Sequence, residues 1–274
     1  DTFQYERLDT TRQQIRLVRL HPADAQEHTH VFCDIHTFDL ANAPPYIALS
    51  YTWGAPDPKL IIFVGDEPHE VRENLYDFLY TFRSEGSNSN YIYIDQLCID
   101  QNSPDERNHQ VRLMSKIYRG CICVLVWLDQ SSAKAAKDFQ DAPQLDSAEQ
   151  ILRNPYFTRL WIVQEVLLAP EAIVFCGGVW LSWDALGELI WKMPDWYLSI
   201  QRPHDTASMA WLFKSTRGTL WEQDYIPLDR CINLFSCMQC ADLRDKVYGL
   251  LRLSVHQVLL DAITVLRSIH WRTS

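Results

Sequence analysis

The stretch that most constrains the fold runs from Tyr91 to Leu128, because it reads as a strand, a helix and a second strand in succession. Its first part, Tyr91–Ile94, is aromatic and β-branched, which is typical of a strand. Its last part, Cys121–Leu128, is an unbroken apolar run, which is typical of a strand covered on both faces. The pattern predicts a βαβ unit in an α/β fold, with a mainly parallel sheet flanked by helices and with Ile94 and Leu125 in its core.

The helix between the two strands has a well-defined predicted start. Ser103 supplies a hydroxyl N-cap, Pro104 fits the first helical position, and Glu106 stands three residues after the cap. Apolar residues then follow at spacings of three and four, which predicts one helix face against the sheet: Val111, Met114, Ile117 and Tyr118.

Further elements are predicted on either side of this unit. Gln14–Leu20 alternates in the manner of an edge strand, and Tyr46–Gly54 is a short apolar strand that ends in hydroxyls, an indole and a turn glycine. Val71–Phe82 has the spacing of an amphipathic helix, as does the segment from Arg159 to Ala169. Ile173–Cys176 is predicted to be the last strand.

Composition and charge narrow the classes of function. The chain has 274 residues, 47% of them hydrophobic, which is enough for a full core. A net charge of −10 argues against a nucleic-acid or anionic-membrane surface, because Lys and Arg supply most phosphate contacts. The longest apolar run is eight residues, far below the roughly 20 that span a bilayer. The first residues show no signal segment, so we expect a cytoplasmic protein without a membrane span.

The chain changes character near residue 180, where tryptophans with helical spacing become frequent. We therefore predict two parts, an α/β domain at 1–178 and a helical, tryptophan-rich extension at 179–274 packed on it. Core packing is the ordinary role of such tryptophans.

No metal site is predicted. Cys237 and Cys240 form a CxxC pair without a second pair, and His28 and His30 lie in a polar stretch without further ligands. Several other cysteines lie within apolar patterns, so we expect reduced, buried thiols: Cys98, Cys121, Cys123 and Cys176.

Three blocks together resemble the fungal heterokaryon-incompatibility (HET) domain. They are YIALSYTWG at 46–54, YIDQLCIDQ followed by ERNHQVRLMSKIY at 93–118, and RLWIVQEVLLA at 159–169. The later segment Leu243–Leu251 is similar to one that often follows in that family. The resemblance implies a role in fungal allorecognition and programmed cell death.

That family is distantly similar to TIR domains, whose flavodoxin-like first strand ends in a serine–aromatic pair, like Ser50 and Tyr51 here. Enzymatic TIR domains carry a glutamate four residues after a helical tryptophan, and Trp161 and Glu165 have that spacing. The resemblance implies NAD as a substrate, not as a cofactor, with Glu165 as the catalytic carboxylate.

The remaining candidates would line the crevice at the strand ends, where open α/β sheets bind ligands. Trp161 would form a flat wall and Arg159 would meet a phosphate, and the other lining residues would be Ser50, Tyr51, Trp53 and Asp95. The nicotinamide leaves from a positively charged nitrogen, so its departure needs no general acid.

Other interpretations of these residues remain open. Glu165 could only pair with an arginine, Trp161 could only pack, and Asp95 could cap a helix. No GxGxxG, GxSxG, HExxH or P-loop pattern is present, which argues against the dehydrogenase, hydrolase and NTPase templates. The alternative function is a non-enzymatic module that signals by self-association or through a protein partner.

Overall fold

The computed structural model describes residues 3–23, 30–85, 90–192, 212–213, 228–235, 237–240 and 242–251. The strands are β1 (Gln14–Leu20), β2 (Phe32–Asp39), β3 (Tyr46–Tyr51), β4 (Lys59–Val64), β5 (Glu67–Arg72), β6 (Tyr91–Tyr93), β7 (Val124–Trp127), β8 (Ala172–Cys176) and β9 (Val179–Ser182). The helices are α1 (Glu73–Phe82), α2 (Asp95–Cys98), α3 (Pro104–Gly120), α4 (Ala133–Asp141), α5 (Leu145–Leu152), α6 (Trp161–Leu168), α7 (Trp183–Lys192), α8 (Leu228–Phe235) and α9 (Asp245–Leu251).

The strands form one mixed sheet in the order β5-β4-β2-β1-β6-β3-β7-β8-β9. The prediction of an α/β fold is confirmed, but the mainly parallel sheet is not. Parallel pairing joins β6, β3, β7 and β8 at the centre and also joins β2 to β4, and the other neighbouring pairs are antiparallel. Two of the antiparallel pairs, β4–β5 and β8–β9, are hairpins with very short turns, and such turns join only antiparallel strands.

The βαβ unit is present, with β3 between its two strands. Both β6 and β7 pair with β3 in parallel. Ser103 is the N-cap of α3 and accepts a hydrogen bond from the backbone of Glu106, as predicted. Ile94 and Leu125 are buried in the core, also as predicted. Val111 is exposed, and Leu113 is buried on the inner face of α3 instead.

Helices cover the two faces of the central strands. On one face, the Tyr46 hydroxyl donates to the carbonyl of Ile117 in α3, and α6 packs against α3. On the other face, Phe78 of α1 contacts Trp127 of β7 edge to face. Because side chains alternate along a strand, Ser50 faces the layer of α3 and α6. This places the end of β3 beneath α6.

Three sequence predictions need correction at the ends and edges of elements. β1 is not an edge strand, because it pairs with both β2 and β6. Val71 belongs to β5, so α1 begins only at Glu73. β8 is not the last strand, because Val179–Ser182 adds β9 to the same sheet.

Part of the predicted C-terminal extension lies within the described residues. There α7, α8 and α9 are helical, and Trp183 is buried against Phe213 in a stacked pair. Trp196, Trp211 and Trp221 lie outside the described residues, as does His28. The division at residue 178 therefore stays a prediction.

Candidate functional site

Two of the candidate residues follow directly from neighbouring parallel strands. Ser50 is the penultimate residue of β3 and Asp95 begins α2, two residues after β6 ends. Because parallel strands present their carboxyl ends at one edge of a sheet, the topology brings both residues to that edge. The candidate site is therefore built at this edge.

A buried network joins β3 to α6. The hydroxyl of Ser50 donates to the Oε2 atom of Glu165. The hydroxyl of Tyr156, in a 3₁₀ turn before α6, lies 2.7 Å from the Ser50 oxygen. Glu165 is only 2% exposed and Ser50 1%. Residues 115 positions apart in sequence are thus in direct contact.

Arg159 supplies positive charge to this network. Its Nη2 atom lies 3.7 Å from Oε1 of Glu165, at the limit of an ion pair. Burial holds the pKa of Glu165 above its ordinary value, although the Arg159 cation and the Ser50 hydrogen bond act in the opposite direction. Burial likewise raises the pKa of Asp95, against the influence of Arg159. One guanidinium therefore faces two carboxyl groups that both resist ionisation.

Asp95 is held in place by its neighbours. The indole Nε1 of Trp53 donates to Oδ2 of Asp95 at 2.9 Å, and the backbone of Gln96 donates to Oδ1 at 2.8 Å. The guanidinium of Arg72 lies over the Trp53 ring at 5.1 Å, within range of a cation–π contact. Asp95 is the first residue of α2, whose N-cap position is Ile94 without a side-chain cap, so Asp95 does not cap this helix.

Several buried polar atoms around the site lack a hydrogen-bond partner among the described residues. They are Nη1 of Arg159, Oε1 of Gln96 and Oε1 of Gln164. An unpaired buried polar group costs about 1–3 kcal/mol, so such groups are uncommon in structural networks. One donor and two acceptors in this region are thus available to a bound molecule.

Trp161 has different neighbours from those predicted for a wall of the site. Its indole Nε1 donates to Oδ2 of Asp245 at 3.2 Å. Its ring lies beside Gly249, where a Cβ atom would be 3.7 Å from the indole. Trp161 and Glu165 have the i, i+4 spacing on α6, but the indole of Trp161 contacts α9. Its predicted role toward a substrate stays a prediction.

Sequence reasoning missed two residues of the site. Tyr156 stands just before the helix predicted from Arg159, and Arg72 lies within the segment Val71–Phe82, which is predicted to be a helix. The sequence signal that could have identified Tyr156 is its hydroxyl group, which stands next to a helix with a buried stripe. A buried tyrosine hydroxyl usually has a hydrogen-bond partner. Arg72 gave no sequence signal.

The residues at this site offer carboxylate, hydroxyl and guanidinium groups. Among the described residues, no cluster of three or more His, Cys, Asp or Glu side chains could hold a metal ion. All eight cysteines carry free thiols. No described helix combines the length and the hydropathy needed to cross a bilayer.

A separate groove lies at the carboxyl end of α6. It has a volume of about 530 Å³ and is lined by the end of α6, by β8 and β9, and by the start of α7, including Leu167, Trp180 and Asp184. None of the candidate site residues lines it. A molecule bound there would therefore not touch Glu165.

Comparisons with known proteins point to one family. A family model described as "Heterokaryon incompatibility protein (HET)" matches residues 46–150. The chain is 28% identical to "Heterokaryon incompatibility protein 6, OR allele" of Neurospora crassa, over 60% of this chain and 33% of that protein. The match therefore spans about a third of the relative's length. No solved structure gives a significant match.

Proposed function

We propose that this chain, whose residues 46–150 match the heterokaryon-incompatibility (HET) family model, acts in allorecognition and cell death by cleaving NAD between ribose and nicotinamide. The relative's name supports the biological role. The chemistry is supported by the geometry of the site and by its likeness to the serine–aromatic pair and helical glutamate of enzymatic TIR domains.

One observation carries the chemical proposal: the carboxyl group of Glu165 is buried against Ser50 and Arg159 at the carboxyl edge of parallel strands. A carboxylate in a buried site interacts more strongly with a developing positive charge than the same group in water does. Ser50 and Arg159 hold the group in one position, so little reorganisation is needed when charge develops.

The reaction needs one carboxylate and water. The bond between C1′ of the ribose and the nicotinamide nitrogen breaks, and its electron pair goes to that nitrogen. Ionised Glu165 stabilises the positive charge left on the ribose, and water adds to C1′ and releases a proton. The products are ADP-ribose, nicotinamide and one proton. No general acid is required, because the leaving nicotinamide is neutral.

The positive and aromatic groups beside Glu165 suit the rest of a dinucleotide. In this proposal Arg159 and Arg72 bind phosphate oxygens, because guanidinium groups bind phosphates through paired hydrogen bonds. Nη1 of Arg159 has no partner among the described residues, which leaves it available for such a contact. Trp53 offers an aromatic surface next to them.

The closed packing of Glu165 favours the second candidate function, a self-associating signalling module. At 2% exposure, Glu165 meets a substrate only after one of its present partners moves. In the second candidate, the buried network only holds α6 on the sheet, and surfaces elsewhere carry the signal.

Turnover by purified protein distinguishes the two functions. We expect the protein, concentrated enough to associate, to release nicotinamide from NAD, and Glu165→Gln to reduce the rate by roughly a hundredfold or more, because the negative charge is lost and the shape is kept. Glu70→Gln makes the same change at an exposed ion pair with Lys59 and should leave the rate unchanged.

Equal rates for the protein and Glu165→Gln would remove Glu165 from the reaction. Absence of release by the unchanged protein, at concentrations where it associates, would support the signalling module and exclude NAD cleavage under these conditions.

A further inference from the structure

A segment far along the chain packs against the residues that enter α6. We name residues 237–240 and 242–251 the strap. The backbone N–H of Gln239 donates to the carbonyl of Thr158 at 2.6 Å, and the N–H of Leu160 donates to the carbonyl of Gln239 at 2.8 Å. These bonds form a parallel bridge between Arg159 and Gln239. The strap thus binds the backbone on both sides of Arg159, at Thr158 and at Leu160.

The second half of the strap contacts the start of α6. Asp245, the first residue of α9, accepts the hydrogen bond from the Trp161 indole at 3.2 Å. One turn further along, Gly249 is buried with its Cα against the indole ring and Leu160. A Cβ at Gly249 would lie 3.7 Å from the ring, which is ordinary contact, so a methyl group fits and a larger side chain does not.

We propose that the strap is a positioning element for Arg159 and for the helix that carries Glu165. Its two contact regions fix three consecutive residues, Arg159, Leu160 and Trp161. Arg159 acts on Glu165 across 3.7 Å, a separation at which a small shift of the backbone changes the interaction strongly. The strap lies outside residues 46–150, so the part of the chain that the family model matches depends on a later segment for its site.

The functional consequence rests on the function proposed above. The ionised form of Glu165 is the reactive one, and Arg159 favours that form. A displaced strap should therefore raise the pH at which turnover begins. The charged or titratable groups that interact electrostatically with Glu165 are Arg159, Asp95, Tyr93, Tyr118 and Tyr156.

Amide hydrogen exchange on the whole chain tests the positioning without any need for turnover. We expect Gly249→Leu to speed exchange of the Leu160 amide and the first turn of α6 about tenfold, because overpacking against Trp161 forces the strap away. Gly249→Ala is the matched control, since its methyl group fits and alanine suits a helix better than glycine does. Leu243→Ala changes an exposed strap residue and should have no effect.

Exchange in β3 shows whether the rest of the fold is intact. If Gly249→Leu also speeds exchange in β3, then Asp245→Ala, which removes the acceptor of the Trp161 indole without adding bulk, decides the question. Faster exchange at Leu160 with β3 unchanged supports the strap. If the Leu160 amide exchanges at the same rate as in the Gly249→Ala protein, the proposal is overturned.

The pH profile of nicotinamide release separates positioning from simple support. A positioning strap predicts that Gly249→Leu or Asp245→Ala moves the acidic limb of the profile to higher pH, whereas a merely supporting role lowers the rate at every pH alike. An unmoved limb would overturn the link to Glu165. If the unchanged protein releases no nicotinamide, the proposed function fails, and the exchange result still decides the position of the strap.

Discussion

Glu165 combines features that rarely occur together in one buried side chain. It accepts a hydrogen bond from Ser50, faces Arg159 at 3.7 Å and is shielded from water. Burying a carboxylate is costly, and a single hydrogen bond with a long ion pair offsets this cost only in part. The pKa of Glu165 is raised because the effect of burial exceeds that of the hydrogen bond and the ion pair.

The pH dependence of stability follows from that raised pKa. In the folded protein Glu165 holds its proton more tightly than the ordinary value of 4.5 implies, so the folded state binds more protons than the unfolded chain between the two pKa values. Stability should therefore fall as pH rises from about 4.5 through the folded pKa. Compared with Glu165→Gln, the unchanged protein should lose up to about 1.4 kcal/mol per pH unit across this window.

Urea unfolding of both proteins from pH 4 to pH 8 measures this difference. Asp95, whose pKa is also raised, is common to both proteins and largely cancels. A relative gain of stability by the unchanged protein as pH rises would mean that Arg159 stabilises the ionised form fully, contrary to the account.

At the scale of elements, short turns decide how the sheet ends. Gly177 and Gly65 lie in the turns of the β8–β9 and β4–β5 hairpins, with φ of 53° and 59°. Both need the left-handed region, which favours glycine. They differ in surroundings, because a Cβ at Gly177 would lie 2.4 Å from that of Ala133, whereas one at Gly65 would meet nothing within 4 Å.

Alanine substitutions in these two turns distinguish the energetic cost of backbone strain from that of steric overlap. We expect Gly65→Ala to lower the free energy of unfolding by about 1 kcal/mol through its backbone conformation alone. Gly177→Ala should cost about 1–3 kcal/mol more, because α4 must shift to accommodate the methyl group. Denaturant unfolding measures both, and equal losses would show that α4 yields without cost.

These elements also show how much of the fold and of the candidate site could be predicted from the sequence. The strand–helix–strand pattern and the Ser103 cap were predicted because they depend on local spacing. The α6 residue Glu165 was predicted on family resemblance, and its contact with Ser50 follows from strand-end geometry. β9 was missed because Val179–Ser182 is short and half-exposed, so its pattern gives little signal.

The individual partners of Trp161 and Tyr156 could not be predicted from the sequence. The spacing of Trp161 and Glu165 predicts a shared helix face but not the partner of each side chain, and Trp161 meets Asp245 rather than the end of β3. Tyr156 was missed for the same reason, since its role depends on which strand end its hydroxyl reaches.

At the scale of the whole molecule, the site draws on segments from Ser50 to the strap. Residues 46–150 supply Ser50, Trp53 and Asp95, and the chain after residue 150 supplies Arg159 and Glu165. The HET-matched part therefore contains only three of these five site residues. This arrangement predicts that the matched part alone does not carry the activity.

The most direct test of the central claim, that Glu165 in this site cleaves NAD to bring about cell death, is the NAD content of fungal cells expressing the chain. We expect the unchanged chain and Glu70→Gln to lower NAD by about tenfold or more before viability falls, and Glu165→Gln, expressed at the same level, to leave both NAD and viability unchanged. Cell death with NAD undiminished, or equal loss of NAD with Glu165→Gln, would contradict the account.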